Sequence, residues 1–358
     1  MQRAIKRILL VRTDRLGDVI LTLPMLSHLR QCLPDAYLSM LLRQYTGAIV
    51  EGNPYADALL WYDAGSRLIP FWEMRRQLQE LRFDAVVIVH PTLRLALLML
   101  LSGISLRIGT GYRYYSFLFN RKVFEHRSDA QRHELEYNLN LLQALGCAPP
   151  TPNDDPDFGV VIPGDAEAAL RSKLPLEFHG AHPLVVVHPA TGGSAREWPL
   201  ERFGDLARAL IDRDHASVVV TGAHGEEAMA EDLVRMSGGK AVSLAGKLSL
   251  KELGALLRQA SLFISNSTGP IHLAVALRTP VLGFYPQLTP ISPRRWGPYR
   301  GLKRVLVPDR PADCGDCPGK RPARCACMES ISMADAYRAA SELLAEVKTA
   351  NRSVVEHG

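Results

Sequence analysis

ISNSTGPIHLAVALRTPVLGF, residues 264–284, holds the change of pattern on which the reading of this chain turns. Leu262, Phe263 and Ile264 bring an apolar, strand-like run up to it, and Ser265 to Gly269 are small and polar. A helical pattern then begins at Pro270, with Ile271, Leu273, Ala274 and Leu277 on one side. Proline is pre-set for the first helical position, and Ser267 or Thr268 stands where a side chain caps the free N–H groups. A strand–turn–helix junction of this kind aims backbone donors and the positive end of the helix dipole forward, an arrangement that suits phosphate. Gly269 leaves room for an anion to approach the backbone. An ordinary capped helix in an α/β protein has the same pattern, so the rest of the chain has to discriminate.

Outward from this junction the pattern alternates. Strand-like runs at 184–187, 217–221, 241–244, 262–265 and 281–284 alternate with helical ones at 200–212, 226–236, 250–258 and 270–277. The N-terminal half behaves alike: strands at 8–11, 37–42, 58–62, 85–89 and 105–109, with helical patterns from Asp18 through Leu29 and at 45–51, 71–81, 94–101 and 133–145. Continuous apolar strands such as 8–11 are the type covered on both faces of a parallel sheet. Between the halves, 148–156 (APPTPNDDP) reads as a linker. The expected architecture is α/β, with two Rossmann-like, doubly wound domains facing across a cleft and ligands at the carboxyl ends of the strands. Domains are expected at 1–155 and 156–330, followed by a closing helical segment in 331–358.

Bulk properties narrow the function. A chain of 358 residues is long for one core. A net charge of +5 suits an acidic substrate or an anionic membrane surface and is too weak to argue for nucleic acid. The chain enters directly into IKRILLVR, with no signal-peptide pattern, so a cytoplasmic setting with reduced thiols is expected. No apolar run approaches the ~18 residues of a membrane span. Cys32 and Cys147 stand alone, while Cys314, Cys317, Cys325 and Cys327 form C-x2-C-x7-C-x-C. The first pair has zinc-ligand spacing but the second pair is too close for an ordinary structural site.

Three strand-end loops carry the chemistry. After the first strand, Asp18 beside Gly17 is placed to accept a proton from a hydroxyl; it and Asp14 are equally placed to cap a helix. RLGDVI is not G-x-G-x-x-G, which argues against a conventional dinucleotide site. The loop 188–199 presents Thr191, Ser194 and Arg196, a cation suited to a diphosphate. After the next strand, Glu226 is a carboxylate suited to ribose hydroxyls. A carboxylate, a cation and a helix N-terminus in one domain point to a nucleotide with phosphates.

RTDRLGDVILTLPML, HPATGGSAREWPLERF, GAHGEE and SNSTGPIHLAVALRTPV, in this order, resemble the lipopolysaccharide heptosyltransferases of glycosyltransferase family 9. The resemblance implies a GT-B fold, inversion at the anomeric carbon, no metal and no cofactor, an ADP-sugar donor of ADP-heptose type, and a final helix that crosses back to the first domain. By position it implies Asp18 as general base. For the donor it implies Arg196 and Thr191 at the diphosphate, with Ser194 on their loop, Glu226 at the ribose, Thr268 and Gly269 at the phosphate-contacting turn, and His272 on its helix. Better-known members carry Asp where this chain has Ser267, which leaves the donor open between heptose and a related sugar. The implied acceptor is the acidic inner core of lipopolysaccharide. Arg94, Arg113, Arg121, Lys122, Arg127 and Arg132 are candidates to hold it, or form a solvated basic face. Phe71 and Trp72 with Arg75 and Arg76 resemble an interfacial contact with the inner membrane, against the competing account of a core-facing helix. Cysteine-rich segments ending in Cys-Met occur in the family without a metal requirement, so a reduced, loop-stabilising cluster is favoured over zinc. The alternatives are a non-catalytic nucleotide-sugar-binding protein, a metal-dependent redox or regulatory protein built on the cysteines, and a transferase using another donor.

Overall fold

The computed structural model describes residues 5–149, 151, 155–180, 182–309 and 326–357, with 351–357 described by backbone alone. Cys314, Cys317 and Cys325 lie outside the described residues. The chain divides into two compact units. One comprises Met1–Ser128 with Arg132–Val161, the other Asp129–Gln131 with Ile162–Gly358.

In the first unit the elements run β1 (Arg7–Val11), α1 (Leu16–Ile20), α2 (Pro24–Cys32), β2 (Tyr37–Leu42), α3 (Gln44–Gly47) and β3 (Ala58–Trp61). A two-stranded ribbon, β4 (Asp63–Ala64) and β5 (Arg67–Leu68), leads into α4 (Phe71–Leu81). Then come β6 (Ala85–Ile88), α5 (Leu93–Leu101), β7 (Leu106–Thr110), β8 (Arg121–Val123) and α6 (Glu134–Asn140). The sheet order is β3-β2-β1-β6-β7-β8, parallel throughout. The chain winds outward from β1 to β3, then returns to the other side of β1 with β6. The strand order therefore reverses between β1 and β6. Leu9, Val11, Val86 and Ile88 pack with Leu95, Leu98 and Met99 of α5 in one core.

The second unit repeats this plan: α7 (Gly164–Lys173), β9 (Leu184–His188), α8 (Leu200–Asp214), β10 (Ser217–Val220), α9 (Glu227–Met236), β11 (Val242–Ser243), α10 (Leu250–Gln259), β12 (Leu262–Asn266), α11 (Gly269–Ala276), β13 (Val281–Phe284), α12 (Pro293–Trp296), β14 (Lys303–Leu306) and α13 (Met333–His357). Its sheet order, β11-β10-β9-β12-β13-β14, reverses between β9 and β12. Trp198 stacks on Phe284 at 4.1 Å and meets Phe203 edge-on at 4.9 Å in its core. Each unit is thus a doubly wound, Rossmann-like domain, as the alternating pattern predicts.

Several expectations are revised. The helix predicted from Asp18 through Leu29 is two helices, because Pro24 lacks an N–H to continue the first and suits the start of the second. The helix predicted at 133–145 tightens after Asn140 into a 3-10 turn, Leu141–Leu145, ended by Gly146 at φ 87°. The first unit extends past the expected boundary at 155, since Ser27 Oγ donates to the Asp157 carbonyl at 2.9 Å and Asn53 Nδ2 to the Phe158 carbonyl at 3.0 Å. One face of α13, Ala336, Ala340, Leu343 and Leu344 at i, i+4, i+7 and i+8, is buried in the second unit's core with Phe203 and Val185. The reduced-thiol expectation is corrected at one pair. Cys32, ending α2, and Cys147, just after Gly146, are joined by a disulfide with Cα atoms 5.7 Å apart, because α2 packs beside α6.

Gly204 of α8 faces α9, and a Cβ built on it would stand 2.4 Å from Met236 Cβ. Gly204→Ala gains up to about 1 kcal/mol of helix propensity, while overpacking costs about 1–3 kcal/mol, so packing dominates. The variant is expected to unfold at lower denaturant with an unchanged slope, measured by urea titration; a stabilised variant would contradict the close α8–α9 approach.

Candidate functional site

Strands buried on both faces present chemistry only at their ends, and a reversal of strand order opens a crevice beyond the carboxyl ends there. In the first unit that place is the turn after β1 and the turn after β6. Arg12 follows β1 and is buried. Its guanidinium donates from Nε to Asp14 Oδ1 at 2.6 Å and from Nη2 to Asp18 Oδ1. Its Nη1 is buried without a hydrogen bond, 3.7 Å from Glu134 Oε1. Glu134 begins α6 and accepts from Arg127 Nη1 at 2.5 Å; the same Nη1 reaches Asn138 Oδ1 at 2.9 Å. From across the switch point, His90 Nδ1 lies 3.4 Å from Asp14 Oδ2.

The turn is pinned from below. Arg43 Nε donates to the Thr13 carbonyl at 3.0 Å, and Tyr45 Oη to the Asp14 carbonyl at 2.7 Å. Neither carboxylate caps α1: the cap position is Arg15, with no side-chain cap bond. Asp18 sits in the first helical turn with its side chain 16 % exposed. Burial pushes its carboxyl up to about 6, opposed by Arg12 and reinforced by Asp14 and Glu134. Burial also opposes the Arg12 charge, yet Asp18, Asp14 and Glu134 together hold it above the ordinary arginine range. His90 is lowered, first by burial, with Asp14 working against that. The arrangement is a carboxylate oriented by a permanent cation and raised toward neutral pH, which is what a general base requires.

In the second unit the switch point joins the loop after β9 to the end of β12. Asn266 Nδ2 donates to the Pro189 carbonyl at 2.6 Å and its Oδ1 accepts from the Trp198 amide at 2.8 Å, so one side chain staples both ends of that loop. Ser265 Oγ donates to the His188 carbonyl at 2.7 Å and lies 3.2 Å from Thr268 Oγ1. Within the loop Thr191 Oγ1 donates to Glu197 Oε1 at 2.6 Å and accepts from the Gly193 amide at 3.1 Å, while Ser194 Oγ donates to the Thr191 carbonyl at 2.7 Å. Gly192 and Gly193 have φ of 53° and 70°, left-handed values that a glycine adopts without strain. Arg196 on this loop is buried, as is His272 on α11. The helix opens one residue earlier than its proline suggests, at Gly269, with Thr268 at the cap position. Ser267 is half-buried, and its side chain is hydrogen-bonded to Tyr285, whose Oη donates to the Trp296 carbonyl at 3.0 Å.

Thr191, Ser194, Arg196, Ser267, Thr268, Gly269 and His272 therefore belong to two stapled neighbours, β9 and β12 with their loops. Glu226 lies after β10, the strand on the other side of β9, and its carboxylate accepts from the Ala223 amide at 2.6 Å. The acceptor candidates have different partners. Arg94 donates to Tyr62 Oη at 2.9 Å and to the Ile69 carbonyl, stacked over Tyr62 and Phe71, so it fastens α5 to the chain before it. Arg113 is exposed and close enough to act on His90. Arg121 begins the edge strand β8, and Arg132 is exposed, 3.5 Å from Glu125. Arg127 serves Glu134. Sequence reasoning missed Arg12, Glu134 and Asn266; the apolar surroundings that bury them come from distant segments. Among the described residues no group of three or more His, Cys, Asp or Glu side chains is placed to hold a metal. Of the cysteine cluster only Cys327 is described, half-buried against the second core.

Compared with known proteins, residues 71–316 match glycosyltransferase family 9 (heptosyltransferase). The chain belongs to glycosyltransferase family 9. Its relatives in the family include lipopolysaccharide heptosyltransferase 3 of Escherichia coli K12, 28% identical over 288 residues that span 78% of this chain and 82% of that one. Among solved structures, the family 9 glycosyltransferase of Veillonella parvula superposes with a TM-score of 0.80 at 23% identity, covering 97% of this chain and 99% of that one. The Escherichia coli heptosyltransferase WaaC, solved with ADP-2-deoxy-2-fluoro heptose, gives 0.68 at 22% identity over 94% and 99%. The family 9 protein is a glycosyltransferase, and its two doubly wound domains are those of the GT-B fold.

In this family 9 enzyme the Asp18 carboxyl is expected to titrate near pH 6 when followed by carbon-13 NMR. Removing a like charge with Asp14→Asn should move that titration down. Arg12→Lys, which loses the two-pronged donor, should move it up. Unmoved titrations in both variants would refute the network.

Proposed function

We propose that this protein is an inverting heptosyltransferase that moves a heptose, or a closely related sugar, from an ADP-sugar to the inner core of lipopolysaccharide without a metal ion. The observation that carries the reading is Asp18: an aspartate at a strand-order reversal, oriented by a buried arginine and raised to about 6. Family membership, and the ADP-sugar analogue bound by the WaaC enzyme, support the donor class.

In this mechanism Asp18 takes the proton of an acceptor hydroxyl. The oxygen forms its bond to the anomeric carbon from the side opposite the diphosphate. The bond from that carbon to the diphosphate oxygen breaks, and ADP leaves with the electron pair. Arg196 and the amides opening α11 offset the charge on the leaving diphosphate, with Thr191 and Ser194 shaping the loop that holds Arg196. Glu226 takes ribose hydroxyls and His272 supports the turn. Ser267 reads donor sugar hydroxyls in place of the Asp of better-known members, backed by the buried Tyr285, and neither side chain is charged. Arg113, close enough to act on His90, is one of the cations that would hold the acidic acceptor here. A cytoplasmic enzyme working at the inner-membrane surface belongs to the same reading; no described helix is long and apolar enough to cross a membrane.

A base works only when ionised, so kcat is expected to fall as pH drops through about 6, and to be flat above it. Asp18→Asn should lose roughly 10²–10⁴ in kcat, assayed in EDTA with ADP-heptose and a truncated core acceptor, while ADP affinity by calorimetry stays unchanged. Wild-type turnover in that variant would remove Asp18 from the reaction. Arg196→Ala should instead weaken ADP binding by roughly 10- to 100-fold, the range of a lost charge-assisted hydrogen bond; unchanged affinity would exclude it from the diphosphate.

A further inference from the structure

Helix α5 reads LRLALLMLL, apolar almost all round, a composition that belongs in an interior. Only part of it is inside. Leu95, Ala96, Leu98 and Met99 are fully buried in the first unit's core. Leu93, Leu100 and Leu101 are exposed and Leu97 is half-buried. Their spacing of i, i+4, i+7 and i+8 makes them one outward stripe.

Both neighbours of α5 repeat the pattern. Helix α4 packs on α5 and buries Met74 and Leu78 in the shared core, yet leaves Trp72 67% exposed. The 3-10 turn Ser116–Leu118 also packs on α5 and buries Leu118, yet leaves Phe117 73% and nearby Tyr114 80% exposed. Three adjacent segments thus share one core and turn large apolar side chains outward, where polar residues are the rule.

Cations are built into this face. Arg75 Nε donates to the Leu101 carbonyl at 2.9 Å while its guanidinium lies 5.7 Å from the Trp72 ring centre. A positive charge is thereby fixed between α4 and α5 beside the apolar stripe. Arg76 is exposed on the next position, Arg113 is exposed beside Tyr114, and Glu73 is the opposing carboxylate in the first turn of α4. Leucines and rings at one level with arginines beside them match the boundary between acyl chains and anionic headgroups. With nine residues, α5 is far shorter than a span, so such a face lies on a bilayer rather than across it.

We propose that the first unit seats on an anionic phospholipid surface through the α4–α5 face, with Trp72, Phe117 and the Leu93–Leu101 stripe at the acyl boundary and Arg75 and Arg76 at lipid phosphates. This deepens the proposed function, from which it takes only that a membrane is the partner. The test uses the full chain and vesicles of phosphatidylcholine with or without phosphatidylglycerol, read by co-sedimentation. Binding is expected to the anionic vesicles, weakening with salt. The surface variant Trp72→Ser with Phe117→Ser should reduce it by about tenfold or more, since two large apolar side chains no longer leave water on binding. Arg76→Glu should steepen the loss, while circular dichroism and ADP affinity stay as in the wild type. Equal vesicle binding by wild type and the double variant would overturn the proposal, as would no wild-type binding at all. So would a dimer in lipid-free solution that the double variant dissolves, since a second copy would then cover the face. Vesicle binding without heptosyl transfer would leave the surface standing and refute the proposed reaction. Transfer to a soluble acceptor without vesicle binding would do the reverse.

Discussion

A parallel strand covered by helices on both faces has only its ends open to chemistry. The two candidate turns of this protein follow from that constraint applied twice. Strand β1 is buried from Ile8 to Val11 and β9 along its whole length. In each unit the strand order reverses beside that strand, and the turn leaving it is where polar side chains collect. One turn gathers Arg12, Asp14 and Asp18; the other gathers Thr191, Ser194 and Arg196, held by Asn266 and Ser265 from the neighbouring strand.

The two turns are stabilised by different physics. The second is mainly a net of side-chain to backbone bonds, with Thr191 also bonded to the Glu197 carboxylate, which together fix a loop containing two left-handed glycines. The first is ionic. Two arginines and three carboxylates share a partly buried cluster, and such a cluster is seldom the most stable way to fill a volume. Its effect is on the carboxylates: burial and like charges raise Asp18 while Arg12 holds it in place. Burial, with further acid around a fully buried guanidinium, leaves Asp18 a carboxylate that is both oriented and raised toward neutrality.

Much of this was legible along the chain. The alternation of apolar runs and helical patterns carried the doubly wound plan, and the junction at 264–284 placed Thr268 and Gly269 where they stand. Asp18 and Arg196 were legible as residue types at strand ends. Arg12 was not, because an arginine following an apolar strand reads as a solvent-facing charge until the elements that bury it are known. Glu134 contributes from more than a hundred residues away in sequence and appeared only as part of an amphipathic helix. Arg94 shows the converse: its charge suggested a ligand, and only the fold adds Tyr62 and the Ile69 carbonyl as partners.

Local sequence, then, determined the elements, their alternation and the motifs at their ends, because hydrophobic period, proline and glycine act within a few residues. Tertiary structure decided which charges share a site, that Cys32 meets Cys147, and that α13 completes the second core. It also decided that one side of α5 stays uncovered. Those outcomes depend on distances between segments remote in sequence, and burial, ion pairing and disulfide geometry are properties of such distances rather than of composition or spacing.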